Sequence, residues 1–180
     1  MPSTVWKEYE ENPLTHSAAH YLMTIHELLQ SHGYARVTDI AKRMNITRGS
    51  CSIGLRPLKR RGLVVEDENK FLSLSDEGLR MAALVERNDE LLETFLRDIL
   101  GVDADQAEID ACKMEHLLSI ETSMRLASFV ALFEQDHSAA RGLLAALRSQ
   151  GTACTHDAAN CALCENLCFL DIKPAGTPPG

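Results

Sequence analysis

No apolar run in the 180-residue chain approaches the roughly 20 residues that span a bilayer, and the N-terminal MPSTVWKEYEENP carries no apolar core of a signal peptide. Neither a membrane protein nor a secreted one is expected; the location that follows is cytoplasmic. A Gly-rich nucleotide loop is lacking, as is any nucleophile motif, so an enzyme with a small-molecule substrate is not expected either. An excess of positive charge is also missing. With 18 Lys and Arg against 26 Asp and Glu the net charge is -8, and that average argues against a polyanionic partner.

The average hides an uneven distribution. From Tyr34 to Gly62 the chain carries Arg36, Lys42, Arg43, Arg48, Arg56, Lys59, Arg60 and Arg61 against Asp39 alone, whereas Glu86 to Glu121 is strongly acidic. A basic segment suited to a polyanion is followed by an acidic one that can gather cations. In the reducing compartment expected here, the six cysteines read as thiols, metal ligands or redox groups rather than disulfides.

Periodicity points to a mainly α chain. Ala19, Leu22, Ile25, Leu28 and Leu29 recur at helical spacing between Thr15 and Gly33. RVTDIAKRMN reads as a short helix capped by Thr38, with Ile40, Ala41 and Met44 on one face. After a tight connection at Asn45 to Thr47, Thr47 caps RGSCSIGLRPLKRRG, which Gly62 ends. Two short helices with the positive charge on the second make a helix-turn-helix, and LVVEDENKFLSLS, alternating around the polar Glu66–Asn69 turn, makes a two-stranded wing. Gly54 and Pro57 are poor helix formers, so the recognition helix is expected to be kinked or shortened. Cys51 within it reads as a small packing residue.

Ser75 then caps an amphipathic stretch to about Leu100, and Asp103 with Gln106 resembles a capping box for the helix that carries ACKMEH. On a helix, Cys112, Glu115 and His116 in that segment converge on one point, a place for a cation. Taken alone, the triplet reads more simply as a small buried thiol beside an ordinary carboxylate–imidazole pair, and the rest of the chain has to decide. Further helices are expected over about Ser119–Glu134 and Ser138–Ser149. Their apolar faces suit a dimer. The domains expected are a winged helix-turn-helix over 1–74, a helical metal-binding and dimerisation domain over 75–150, and a cysteine-rich tail over 151–180.

HYLMTIHEL, ARVTDIAKRMNIT, RRGLV, LSLSDEG, ELLETFLRDILGVD and DACKMEHLLS, in order from Ala19 to Glu134, resemble the DtxR/MntR family of metal-dependent transcriptional repressors. The resemblance implies a homodimer that binds palindromic double-stranded operator DNA in response to a divalent metal. Its implied ligands are His20 and Met23 on the first helix, Asp89 with Glu93 on the helix after the wing, and Cys112, Glu115 and His116. This chain departs from the family pattern in exchanging imidazole and carboxyl or thioether between positions 20 and 89. Thiolate and imidazole favour Fe2+, with Mn2+ or Zn2+ as alternatives. Arg48, Ser50 and Ser52, near the start of the third helix, are candidates for base edges, and Arg36, Lys42, Arg43, Lys59, Arg60 and Arg61 for phosphates. The acidic wing turn at Glu66, Asp67 and Glu68 is expected to oppose phosphate contact.

The tail lies outside the resemblance. Cys154, Cys161, Cys164 and Cys168 are spaced C-x6-C-x2-C-x3-C, which suits a 4Fe–4S iron–sulfur cluster, a tetrahedral zinc site in which His156 can replace one thiolate, or a set of redox-active thiols. An alternative function follows from it: a winged-helix regulator that senses redox or iron–sulfur status through these cysteines.

Overall fold

The computed structural model describes residues 14–134 and 138–149, so the expectations for Cys154, Cys161, Cys164, Cys168 and His156 fall outside the described residues. Helix α1 (His16–His32) starts at Thr15, whose hydroxyl accepts from the Ala18 N–H, and stops at Gly33 in the left-handed region with φ 76°. Ala19, Leu22, Ile25 and Leu28 form its buried face as the spacing requires. Tyr21 is buried too.

Helix α2 spans Val37–Arg43, and here the expected cap is corrected. The N-cap is Arg36, not Thr38. Ala35 pairs with Leu72 as an isolated β-bridge, which leaves Arg36 extended, and the Arg36 carbonyl already accepts from the Asp39 and Ile40 N–H groups. The strand contact decides where the helix begins, so the Thr38 hydroxyl comes two residues too late to cap it. Asn45, at φ 53°, makes the tight connection.

Helix α3 (Arg48–Arg60) is capped by Thr47, whose hydroxyl accepts from the Ser50 N–H at 3.1 Å. It runs continuously through Pro57, so the expected shortening does not occur. Pro57 deprives the Ile53 carbonyl of its helical donor, but Ile53 is 62% exposed and water can take that acceptor. Gly54 has a packing reason: a Cβ there would fall on the Tyr21 ring of α1. Cys51 is fully buried, as expected of a packing residue.

The wing is an antiparallel pair, β1 (Val64–Glu66) and β2 (Leu72–Leu74), in register Val64 to Leu74 and Glu66 to Leu72. Leu22, Ile25, Ile40, Leu55, Leu58, Leu63 and Leu72 close the core beneath it. Each such side chain contributes about 1.5–3 kcal/mol on burial.

Ser75 caps α4 (Asp76–Thr94) by accepting from the Gly78 N–H at 3.1 Å. Ala82 and Val85 of α4 join the winged-helix core, so the helix is rooted in that unit at its first half. The stretch expected to reach Leu100 as one helix instead widens into a π-helical turn at Phe95–Ile99 before Gly101, at φ 73°. Asp103 caps α5 (Ala104–Met114) by accepting from the Asp105 N–H at 3.1 Å, and α6 spans Ile120–Glu134. Helix α7 (Ser138–Ser149) belongs to a separate compact unit.

Candidate metal centre

The segment ACKMEH is only partly helical. Helix α5 ends at Met114, with Glu115 as its C-cap still in the right-handed region and its N–H bonded to the Ala111 carbonyl at 2.8 Å. Cys112 and Glu115 therefore keep helical geometry and converge. His116 lies past the helix end, which corrects the expectation of one point shared by all three: its ring packs against His16 with centroids 5.2 Å apart.

The convergence point is completed by α1. His16 and His20, one turn apart, bring their Nε2 atoms to 3.2 Å, and His20 Nε2 lies 3.3 Å from Cys112 Sγ. One donor atom from each of His16, His20, Cys112 and Glu115 lies within 4.8 Å of every other. Three of the four were legible in the sequence; His16 was missed. Its signal was there, because an i,i+4 histidine pair on the helix that also carries His20 faces the same side.

The remaining implied ligands fall differently. Asp89 of α4 lies against Glu115, with a hydrogen bond between the two carboxyls. Glu93, one turn further along, is held in an ion pair by Arg97. Met23 packs partly buried against the winged-helix core. None of these three is among the four converging donors.

Glu115 is 1% exposed, and its Oε1 has no hydrogen-bond partner. Such a buried acceptor costs roughly 1–3 kcal/mol unless something fills it. Asn88 of α4, also fully buried, donates from Nδ2 to the Glu115 backbone carbonyl at 2.8 Å and so fixes the residue from the α4 side. Burial, then the Asp89 charge and its hydrogen bond, push the Glu115 carboxyl up to about 8. Burial also raises Asp89, and burial with the neighbouring carboxylates raises the Cys112 thiol. His20 is lowered first by burial and then by the His16 imidazole, and His116 first by burial and then by His16 and His20. Every shift disfavours the charged form. A divalent cation reverses this balance, because it binds the thiolate, the carboxylate and the neutral imidazole. The donor set fits such an ion, and Glu115, one of the four converging residues, carries a buried oxygen without a hydrogen-bond partner.

A second candidate surface lies on the winged helix. Arg36, Arg48, Ser52, Arg56, Lys59 and Lys70 line one groove between α2, α3 and the wing. Arg56, absent from the expected contact set, sits one turn beyond Ser52 on the same face. Several expected phosphate contacts are engaged within the protein: Arg43 binds Glu27 through Nε at 3.0 Å and Nη2 at 2.6 Å, the Arg36 guanidinium stacks 4.2 Å over Phe71, and Lys59 pairs with Glu66. Glu66 is also 3.5 Å from Lys70. Its charge is thus neutralised by two cations, and its opposition to phosphate is weaker than the bare wing sequence suggests. Arg48, Ser50 and Ser52 are exposed on the first turns of α3.

Among the described residues, no helix is long and apolar enough to cross a membrane. Residues 13–72 match the family model of the iron dependent repressor N-terminal DNA binding domain, and residues 75–141 match that of the iron dependent repressor metal binding and dimerisation domain. The HTH-type transcriptional regulator MntR of Bacillus subtilis is 31% identical over 129 residues, covering 72% of this chain and 90% of the relative. The MntR of Lysinibacillus sphaericus is 31% identical over 122 residues, covering 68% and 87%. Among solved structures, the manganese regulator SloR superposes with a TM-score of 0.57 at 27% identity, over 63% of this chain and 53% of SloR. A manganese-dependent transcriptional repressor complex with manganese gives 0.54 at 30% identity, over 63% and 52%. The chain thus spans about half the length of these solved relatives. With both family domains matched in order and the donors of the metal-binding segment brought together with the first helix, the chain belongs to the DtxR/MntR family of metal-dependent transcriptional repressors.

Proposed function

We propose that the protein is a metal-responsive repressor that binds palindromic operator DNA as a homodimer. One observation carries this reading: His16 and His20 come from α1, whose other face is the core of the winged helix, while Cys112 and Glu115 come from α5. An ion held by both joins the DNA-reading fold to the helical segment. Metal shifts the protein toward the DNA-competent arrangement only as far as it binds that arrangement more tightly.

The dimer is supported by apolar surface on the helical segment. Ile120 and Met124 of α6 are 64% and 66% exposed, and Leu117 and Leu132 are exposed nearby. Side chains of this kind are suited to burial against a second copy. Domain 75–150 carries that role in this proposal. Arg48, Ser50 and Ser52 read base edges, and Arg36, Lys42, Arg56, Arg60 and Arg61 meet phosphates, with Arg43 and Lys59 able to join them when their pairs with Glu27 and Glu66 open.

The metal is a borderline ion of the Fe2+ to Zn2+ range. Manganese, which appears in the names of several relatives, prefers oxygen donors, and this site offers a thiolate and imidazoles. Replacing Cys112 or Glu115 with alanine should abolish metal-stimulated operator binding in gel-shift or anisotropy titrations while size-exclusion still shows a folded dimer. A variant that responds to the same metal concentration as the parent defeats the assignment.

A further inference from the structure

We propose that His16 is itself a metal ligand and that it turns this site into a four-coordinate centre selective for zinc-class ions. The inference rests on the metal-responsive reading above and adds a residue the family resemblance does not supply. Position 16 lies on the first turn of α1, and its Nε2 stands 3.2 Å from that of His20. The His20 Nε2 to Cys112 Sγ distance is 3.3 Å. Two ligands bound 2.0–2.3 Å from one tetrahedral ion are about 3.3–3.6 Å apart, so both separations match edges of such a polyhedron.

The donor chemistry agrees with the geometry. Two imidazoles, one thiolate and one carboxylate supply two negative charges, which balance a divalent ion within a partly buried site. Structural and catalytic zinc use these ligand types, whereas Mn2+ and other hard ions favour oxygen-rich, six-coordinate surroundings. Without a cation the arrangement is poorly explained. Three imidazole rings, of His16, His20 and His116, crowd together, and the Glu115 Oε1 beside them is buried with no partner. A second imidazole on α1 also strengthens the link to the winged helix, because both ligands from that side then sit on one rigid turn.

The test uses the full-length chain with Cys154, Cys161, Cys164 and Cys168 changed to serine, so that tail thiols do not compete. Zn2+ and Mn2+ affinities are measured by chelator competition, and bound Co2+ is followed by visible absorption, which is intense for tetrahedral and weak for octahedral coordination. His16→Ala should lower Zn2+ affinity by about tenfold or more, since loss of a supporting group alone costs 10–100-fold. It should also collapse the Co2+ bands and leave Mn2+ affinity nearly unchanged. His16→Asp should narrow the preference for Zn2+ over Mn2+. Zn2+ affinity within twofold of the parent in His16→Ala, with an unchanged Co2+ spectrum, would make His16 an ordinary surface imidazole and overturn the proposal. Glu115→Gln separates the two readings: if it binds Zn2+ as the parent does, the site itself is wrong, whereas loss of binding in Glu115→Gln alone leaves the repressor reading standing and His16 outside it.

Discussion

Metal affinity should depend on pH with a slope that counts protons, and Glu115 sets that slope. Its carboxyl is pushed up to about 8, so near pH 7 it carries a proton that an incoming cation must displace. The Cys112 thiol, held above its ordinary value of 9.0, releases a second one. His20 and His116 lie below their ordinary 6.5 and contribute none. Apparent affinity should therefore rise with a slope of about two below pH 8 and about one above it, roughly fiftyfold between pH 7 and 8. Glu115→Gln, which has no proton to lose, should bind more weakly with a slope of about one throughout. Chelator competition at a series of pH values, on the chain with its tail cysteines replaced, reads both slopes. A slope of one in the parent, unchanged by Glu115→Gln, would refute the buried protonated carboxyl. The stability of the metal-free protein runs the opposite way. An acid raised from 4.5 to about 8 is held protonated by the fold, so its contribution is full below pH 4.5 and is lost as pH rises toward 8. The melting temperature of metal-free protein should fall over that window, and Glu115→Gln should flatten the fall.

Gly54→Ala should destabilise the fold by about 1–3 kcal/mol in denaturant melts, because the new methyl group meets the Tyr21 ring; a gain, the usual result of removing a helical glycine, would contradict that contact. Arg56→Ala should weaken binding to all DNA sequences alike and reduce the salt slope by up to about one, whereas Arg48→Ala should relax sequence preference; unchanged preference after Arg48→Ala removes it from the base-reading set. For the tail, we propose that a 4Fe–4S cluster makes anaerobically purified protein brown and that Cys161→Ser with Cys164→Ser removes the colour while metal binding at the helical site persists. Colourless protein with stoichiometric zinc in the tail would overturn the cluster.

Local sequence determined most of the architecture, because its signals are short-ranged. Thr15, Thr47, Ser75 and Asp103 cap the helices where hydroxyl or carboxylate precedes an apolar period, and Gly33 and Gly101 end them at positive φ. Alternation around Glu66–Asn69 was enough for the wing. Where sequence reasoning failed, a distant residue had intervened. The Ala35–Leu72 bridge moved the start of α2 away from Thr38, and the exposure of Ile53 let α3 run on through Pro57. The candidate site divides in the same way. The i,i+3 spacing of Cys112 and Glu115 is a property of one helix and was legible. That His16 and not Met23 or Glu93 joins them depends on how α1 rotates against α5, which the burial of Leu22, Ile25 and Tyr21 on the opposite face decides. The proton on Glu115 is likewise tertiary. It comes from the burial of that carboxyl and from Asp89, 26 positions earlier in the chain, lying against it. Spacing along one helix can specify which groups point together, but only packing decides what faces them and how dry the place between them is.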